Sequence, residues 1–420
     1  MNNRKSILLI LPWLPYPLKS GGHQAIYNGI RAIKDHMNIF ITYLDYSDSS
    51  SDEYLQQFHK ALDANIIVLP YRPSIHQTPH RDIISRICRK LNRTFIQWKI
   101  YPRTKIGIKN LKKAAKIDPD FRISDGKYVH HVKQLIKTYH IDIVQCEMMC
   151  NIAFVSYIPK NILKVFVHHE IRFVKRELEL IQHRNHRKCD NTLNLLKNVE
   201  IEFLNRYDKI VTLSTIDTLK LTHAGVTQPI SSSFATIDTI EKIDWIEPKG
   251  NILSFLGSGY NPPNKDGLLW FLENCWKKLK AIDPSYTLRV IGRWPEDFVN
   301  IICSQHNDIE FLGFVENLDL AIHNTIMIVP ITIGSGIRMK ILEAAGRGTP
   351  FISTSVGAEG LPVENGVHCI IADTPQDFIT GILDLRDYDL QLKFAIASNQ
   401  MVRQYFSFES LRQNRLSIYQ

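Results

Sequence analysis

Short β-branched runs alternate with longer helical stretches from one end of this chain to the other, and that alternation admits little besides parallel sheets crossed by helices. In the first half Ile7–Leu11, Ile39–Tyr43, Asn65–Leu69, Ile143–Cys146, Lys164–Val167 and Lys209–Leu213 read as strands. The second half supplies Ile252–Leu256, Thr287–Ile291, Ile309–Phe311, Ile326–Val329, Phe351–Thr354 and Cys369–Ala372. At 420 residues the chain is longer than one core usually serves, a limit of roughly 250–300 residues. The expected fold is therefore α/β, with two doubly wound, Rossmann-like parallel-sheet domains facing across a cleft. An N-terminal domain is expected over 1–235, with a helical insertion at about 73–126, and a C-terminal domain over 248–400. The seam falls near Gln228–Gly250, and 401–420 reads as a terminal helix.

Composition narrows the class. A hydrophobic fraction of 44% and a charged fraction of 22% describe an ordinary globular protein. No apolar run approaches the roughly 18 residues of a bilayer span, and Pro12, Pro15 and Pro17 cut the first apolar run short of a signal peptide. The seven cysteines are scattered and fit no metal spacing, which suggests reduced, structural thiols and a cytoplasmic setting. Between Arg81 and Lys137, sixteen cations face four aspartates, more than the net charge of +9 on the whole chain. There Ile84, Ile87, Cys88, Leu91, Phe95 and Trp98 recur at helical spacing among cations. That pattern fits a helix lying on an anionic surface at the inner membrane face, or equally a solvated face over a packed helix. No nucleic-acid motif accompanies it.

The chemistry concentrates in Ile326–Pro350. A strand leads into the small-residue loop Gly334-Ser335-Gly336, a helix is expected to start near Ile337, and Gly348-Thr349-Pro350 ends it. Glycines let backbone amides approach an anion, and the open amides of a helix start favour phosphate, so the segment reads as a diphosphate cradle. On a helix Gly336, Lys340 and Glu343 share a face, which places an ammonium for phosphate one turn before a carboxylate suited to a vicinal diol. Arg338 lies about 200° around from Gly336 and joins the phosphate only by folding back. A surface Lys–Glu pair is the bland alternative, and the glycine loop at a strand's end weighs against it. GxxxxGK[ST] occurs nowhere, and GxGxxG fails at Met339 and at Pro262, which disfavours kinase, ATPase and dehydrogenase readings.

The run Gly334 to Pro350, continued by Phe351 to Leu361, resembles the donor-site signature of retaining glycosyltransferases of the GT-B fold, family four, the glycosyl transferases group 1. Further likenesses lie at Leu256 to Asn264, at Gly21-Gly22 and at Val167-His168-His169-Glu170, while the insertion near 73–126 lies outside the resemblance. The resemblance implies that a sugar moves from a nucleoside-diphosphate donor, such as a UDP- or GDP-sugar, to a hydroxyl acceptor, a saccharide or lipid-linked saccharide. No metal or other cofactor is implied. It places Glu343 on the donor ribose, and Gly21, Gly22, Ser335, Gly336, Ile337, Arg338 and Lys340 on the diphosphate. Phe314 and Val315 border the nucleobase. His168 and His169 compete for a place beside the transferred sugar, with His169 preferred; either is otherwise a core or capping histidine. Two departures stand out: Ser335 where the family has a second glutamate, and Ser258 with an out-of-register Lys265 where it has Arg and Lys. Lys340 and Arg338 are expected to replace those cations. A nucleotide-sugar epimerase of the same fold and a non-catalytic sugar-nucleotide scaffold are the alternatives.

Overall fold

The computed structural model describes residues 4–18, 20–45, 50–62, 66–73, 105–122, 124–182, 189–237, 239–241, 243, 251–334 and 337–420. The chain divides into two compact units, Met1–Ser233 with Arg412–Gln420, and Phe234–Leu411. Each is built on one parallel sheet, the GT-B pattern of paired Rossmann-like domains.

The first sheet holds seven strands in the order β3-β2-β1-β4-β5-β6-β7. They are β1 (Ser6–Ile10), β2 (Asn38–Thr42), β3 (Ile66–Val68), β4 (Ile143–Glu147), β5 (Leu163–His168), β6 (Lys209–Thr212) and β7 (Ile230–Ser232). β7 lies inside the stretch expected to be a featureless seam. Its three residues, Ile-Ser-Ser, are too short and polar for a periodic signal, and pairing with β6 is what makes them a strand. The central strands bury both faces, as crossed parallel sheets must: Leu8, Ile10, Val144, Cys146 and Phe166 enter one core cluster with Phe203 and Tyr207.

The second sheet holds six strands in the order β10-β9-β8-β11-β12-β13. They are β8 (Ile252–Leu256), β9 (Thr287–Ile291), β10 (Ile309–Gly313), β11 (Ile326–Val329), β12 (Phe351–Ser353) and β13 (Ile370–Ile371). Side chains alternate between faces, so Leu253, Phe255, Leu288 and Val290 pack one core and Met327, Val329, Ile341 and Phe351 the other. At the carboxyl edge Gly292 adopts φ 124°, and a Cβ there would stand 2.3 Å from the Gly257 carbonyl oxygen. Gly292→Ala is therefore expected to destabilise the second unit by about 2–3 kcal/mol. Hydrogen exchange checks this: amides of β8 and β9 open faster while those of β1 and β4 keep their wild-type protection.

The terminal helix expected over 401–420 is two helices, Tyr388–Tyr405 and Phe408–Ile418, and residues from Arg412 onward belong to the first unit. The amphipathic run 84–98 lies outside the described residues. The basic helix that follows, Lys105–Ala114, buries Leu111 and Ala114 in the first core and exposes Lys109, Lys112 and Lys113, a solvated face over packed residues. Burial pushes the thiols of Cys146, Cys275 and Cys369 up to about 12, so these three remain protonated at neutral pH. Among the described residues no helix is long and apolar enough to cross a membrane.

Candidate functional site

In the second unit β8 and β11 are neighbours from which the chain proceeds in opposite directions, so their carboxyl ends frame the crevice where open parallel sheets bind ligands. β8 leads through Gly257 into the Pro262–Phe271 helix, and β11 leads through the Gly334 loop into the Met339–Gly346 helix. Lys340 Nζ donates to Asn264 Oδ1 at 2.8 Å, and Asn264 Nδ2 donates to the Ser258 carbonyl at 3.0 Å. One amine thereby ties the two banks together. It also stands 4.5 Å from the centroid of the Phe255 ring. Burial, with the nearby Arg338 charge second, pulls this amine down to about 7.

The helix starts at Met339, two residues later than expected, because Arg338 takes extended backbone as the N-cap (φ −86°, ψ 90°) and makes no side-chain cap bond. An uncapped start leaves first-turn amides for an incoming anion. The Arg338 side chain does fold back: a Cβ on Gly334, which sits at φ 144°, would stand 2.7 Å from Arg338 Nη2. A glycine at 334 is thus what lets the guanidinium lie over the loop. Ile337 packs against the second core, and Ser335 and Gly336 lie outside the described residues.

Glu343 is 4% exposed, and its Oε2 pairs with Arg347 Nη1 one turn on. Arg347 Nε in turn holds Asp319 on the Leu318–Ile322 helix. Phe314 follows β10 beside Gly313, which has φ 66°, and is 50% exposed under the Arg293 guanidinium at 5.9 Å. Its neighbour Val315 packs into the core. Lys265 points elsewhere, over the Phe298 ring at 5.5 Å.

In the first unit the corresponding crevice lies between β1 and β4. Gly21 and Gly22 open the Gly21–Ile33 helix, capped by Ser20 Oγ accepting from the His23 amide. The two histidines separate cleanly. His168 Nε2 meets Glu200 Oε1 at 2.7 Å, and Glu200 accepts the amides of Arg172 and Phe173 at 3.1 Å each. That pair anchors the start of the Arg172–Gln182 helix, the role of a core histidine. His169, past the end of β5, instead meets Glu147 Oε2 at 2.6 Å at the end of β4.

Residues 250–387, the body of the second unit, match the family model Glycosyl transferases group 1. The likeness to group 1 glycosyl transferases therefore lies in the second unit. Of curated proteins, an uncharacterised 44.6 kDa protein of the Klebsiella pneumoniae cps region is 27% identical over 150 residues, 32% of this chain and 36% of that one. The match thus spans about a third of that relative. Solved structures extend the likeness beyond the second unit. Anabaena HepE, solved with UDP, gives a TM-score of 0.64 at 14% identity with 99% of each chain covered. S. aureus TarM gives 0.68 at 12% identity with 99% of each chain covered. Sucrose-phosphate synthase of Thermosynechococcus elongatus gives 0.69 at 13% identity over 99% of this chain and 98% of that one. At such identities the likeness is one of fold, GT-B.

Asn264, Arg347 and Glu147 escaped the sequence reading. Arg347 was findable, since it lies four residues after Glu343, the spacing at which a helix pairs Glu with Arg. Asn264 and Glu147 carry no local signal, because their partners lie 76 and 22 residues away.

Proposed function

We propose that the protein is a retaining hexosyltransferase that moves a sugar from a nucleoside-diphosphate donor to a saccharide or lipid-linked saccharide in surface polysaccharide assembly. The observation that carries the reading is the Lys340 amine, buried across the β8/β11 crevice and one turn before Glu343, inside the segment matched by the family model. As the glycosidic bond breaks, charge grows on the departing diphosphate, and a positioned ammonium, Arg338 and open helix amides stabilise that state more than the ground state. This chemistry requires no metal. We assign Glu343 to the ribose and Phe314 with Val315 to the base; the roles that the resemblance gives Gly21, Gly22 and His169 belong to the same proposal. UDP in the HepE structure supports a uridine donor, and the cps-region relative supports a capsule setting. We also assign the chain to the cytoplasmic membrane face, through the net positive charge of the basic segment 81–137.

Incubation with a panel of UDP- and GDP-sugars, with and without membrane extract and with EDTA, tests this. Nucleotide release is expected to require extract, to survive EDTA, and to yield a product whose anomeric coupling matches the donor. Conversion of the donor sugar without any acceptor would establish an epimerase, and inverted product would remove the retaining assignment.

A further inference from the structure

We propose that Glu147, Gln145 and Tyr419 form a buried relay that fixes the ring of His169, making the last turn of the chain a positioning element for the carboxyl edge of the first sheet. The effect on turnover rests on the reading of His169 given above; the relay itself does not.

Gln145 and Glu147 are two residues apart on β4 and so share one face of a central strand, each 3% exposed. Strands buried on both faces normally read as apolar runs, so two polar residues here need a reason. A carboxylate removed from water also needs donors on its oxygens. Both are present: His169 Nε2 lies 2.6 Å from Oε2, and Gln145 Nε2 donates to Oε1 at 2.6 Å. The Tyr419 hydroxyl completes the line by donating to Gln145 Oε1 at 2.5 Å.

Tyr419 is itself pinned. Its carbonyl accepts from Lys5 Nζ at 2.9 Å, and the Ile418 carbonyl accepts from Lys209 Nζ at 2.8 Å, two cations holding the end of the Phe408–Ile418 helix. Burial pushes the Tyr419 phenol up to about 12, so it stays a donor at neutral pH. Arg415, buried one turn earlier, and Glu147 act on that hydroxyl with opposite charge. The other carboxylates near His169 are occupied: Glu170 by Arg172 and Lys175, and Glu200 by His168. Every hydrogen bond therefore points toward Glu147, and with both its oxygens taken, His169 must carry its hydrogen on Nε2. Its Nδ1 makes no hydrogen bond among the described residues and is left for a ligand. Met148, next after Glu147, holds φ 63°, a sparsely populated conformation for a residue with a side chain, at the bend that ends β4.

The test uses the full-length protein labelled with ¹⁵N-histidine, with the His169 ring assigned through His169→Asn. Wild type is expected to show the Nε2-protonated tautomer with slow exchange of that proton. Tyr419→Phe, which deletes one oxygen, should speed the exchange about fivefold, the factor one lost hydrogen bond represents. Glu147→Gln should mix the tautomers. Unchanged His169 ring signals in Tyr419→Phe would overturn the relay, whether or not Glu147→Gln folds. Changed ring signals with a lowered kcat and an unchanged donor KM support both the relay and the place of His169 beside the sugar. Changed signals with wild-type turnover leave the relay standing and remove His169 from the reaction.

Discussion

Replacing Lys340 with methionine is expected to weaken nucleoside-diphosphate binding about 100-fold or more while leaving the free protein as stable as wild type, or more so. The amine has a carboxamide, and not a carboxylate, as its hydrogen-bond acceptor. A carboxamide contributes at most about 1.5–3 kcal/mol as partner to a charged donor, whereas removing an ammonium from water costs several kcal/mol. Asn264 therefore cannot hold Lys340 fully charged, and the amine falls to about 7. A diphosphate arriving within about 4 Å adds roughly 4 kcal/mol per pair of unit charges at an effective dielectric of 20, enough to restore the ammonium. Methionine keeps the length and the contact with Phe255 but offers no charge. Calorimetric titration with UDP checks the loss, and undiminished affinity in Lys340→Met would remove this residue from the donor site.

The same shift sets a pH dependence with a definite sign. Above pH 7 the free protein holds Lys340 neutral, so binding must draw in a proton and affinity falls as pH rises. Titration at pH 8 in two buffers of different ionisation enthalpy should reveal close to one proton taken up in wild type and none in Lys340→Met. Stability runs the other way. The unfolded chain keeps this proton up to 10.5, the folded one only to about 7, so between those values the unfolded state binds more protons and the free protein gains stability as pH rises.

How much of this was legible beforehand follows from where each signal resides. Strands such as Ile7–Leu11 and Ile326–Val329 announce themselves because burial on both faces demands consecutive apolar residues. β7 does not, because only its pairing with β6 makes Ile230–Ser232 a strand. The Gly334 loop and the Lys340–Glu343 spacing lie within one stretch of chain, where local geometry is enough to place them. The start of the helix was misplaced by two residues because Arg338 spends its backbone on capping and its side chain on the loop, a choice set by the space over Gly334. His168 and His169 could not be separated from sequence, since what distinguishes them is Glu200 against Glu147, brought in by different elements.

Glu343→Gln is expected to cost about 100-fold in donor binding and to erase the preference for ribose over deoxyribose. The helix puts Arg347 four residues after Glu343, the favourable order for such a pair, and Arg347 is braced by Asp319. The carboxylate is thus oriented before any nucleotide arrives, so little ordering remains when hydroxyls dock. Hydrogen bonds to a charged acceptor contribute about 1.5–3 kcal/mol each, and two of them on a vicinal diol account for the predicted loss. Glutamine preserves the volume but gives up the charge toward both the diol and Arg347. Comparing UDP with 2′-deoxy-UDP isolates the diol: wild type should favour UDP at least tenfold, and Glu343→Gln should bring the two within about twofold. Arg347→Met separates orientation from contact. It removes the cation that braces a buried carboxylate, so the melting temperature should fall, by an amount corresponding to about 3–5 kcal/mol, while the glutamate we assign to the ribose remains. Should both variants bind UDP and its deoxy analogue with the wild-type ratio, Glu343 is holding the helix to Arg347 and nothing else.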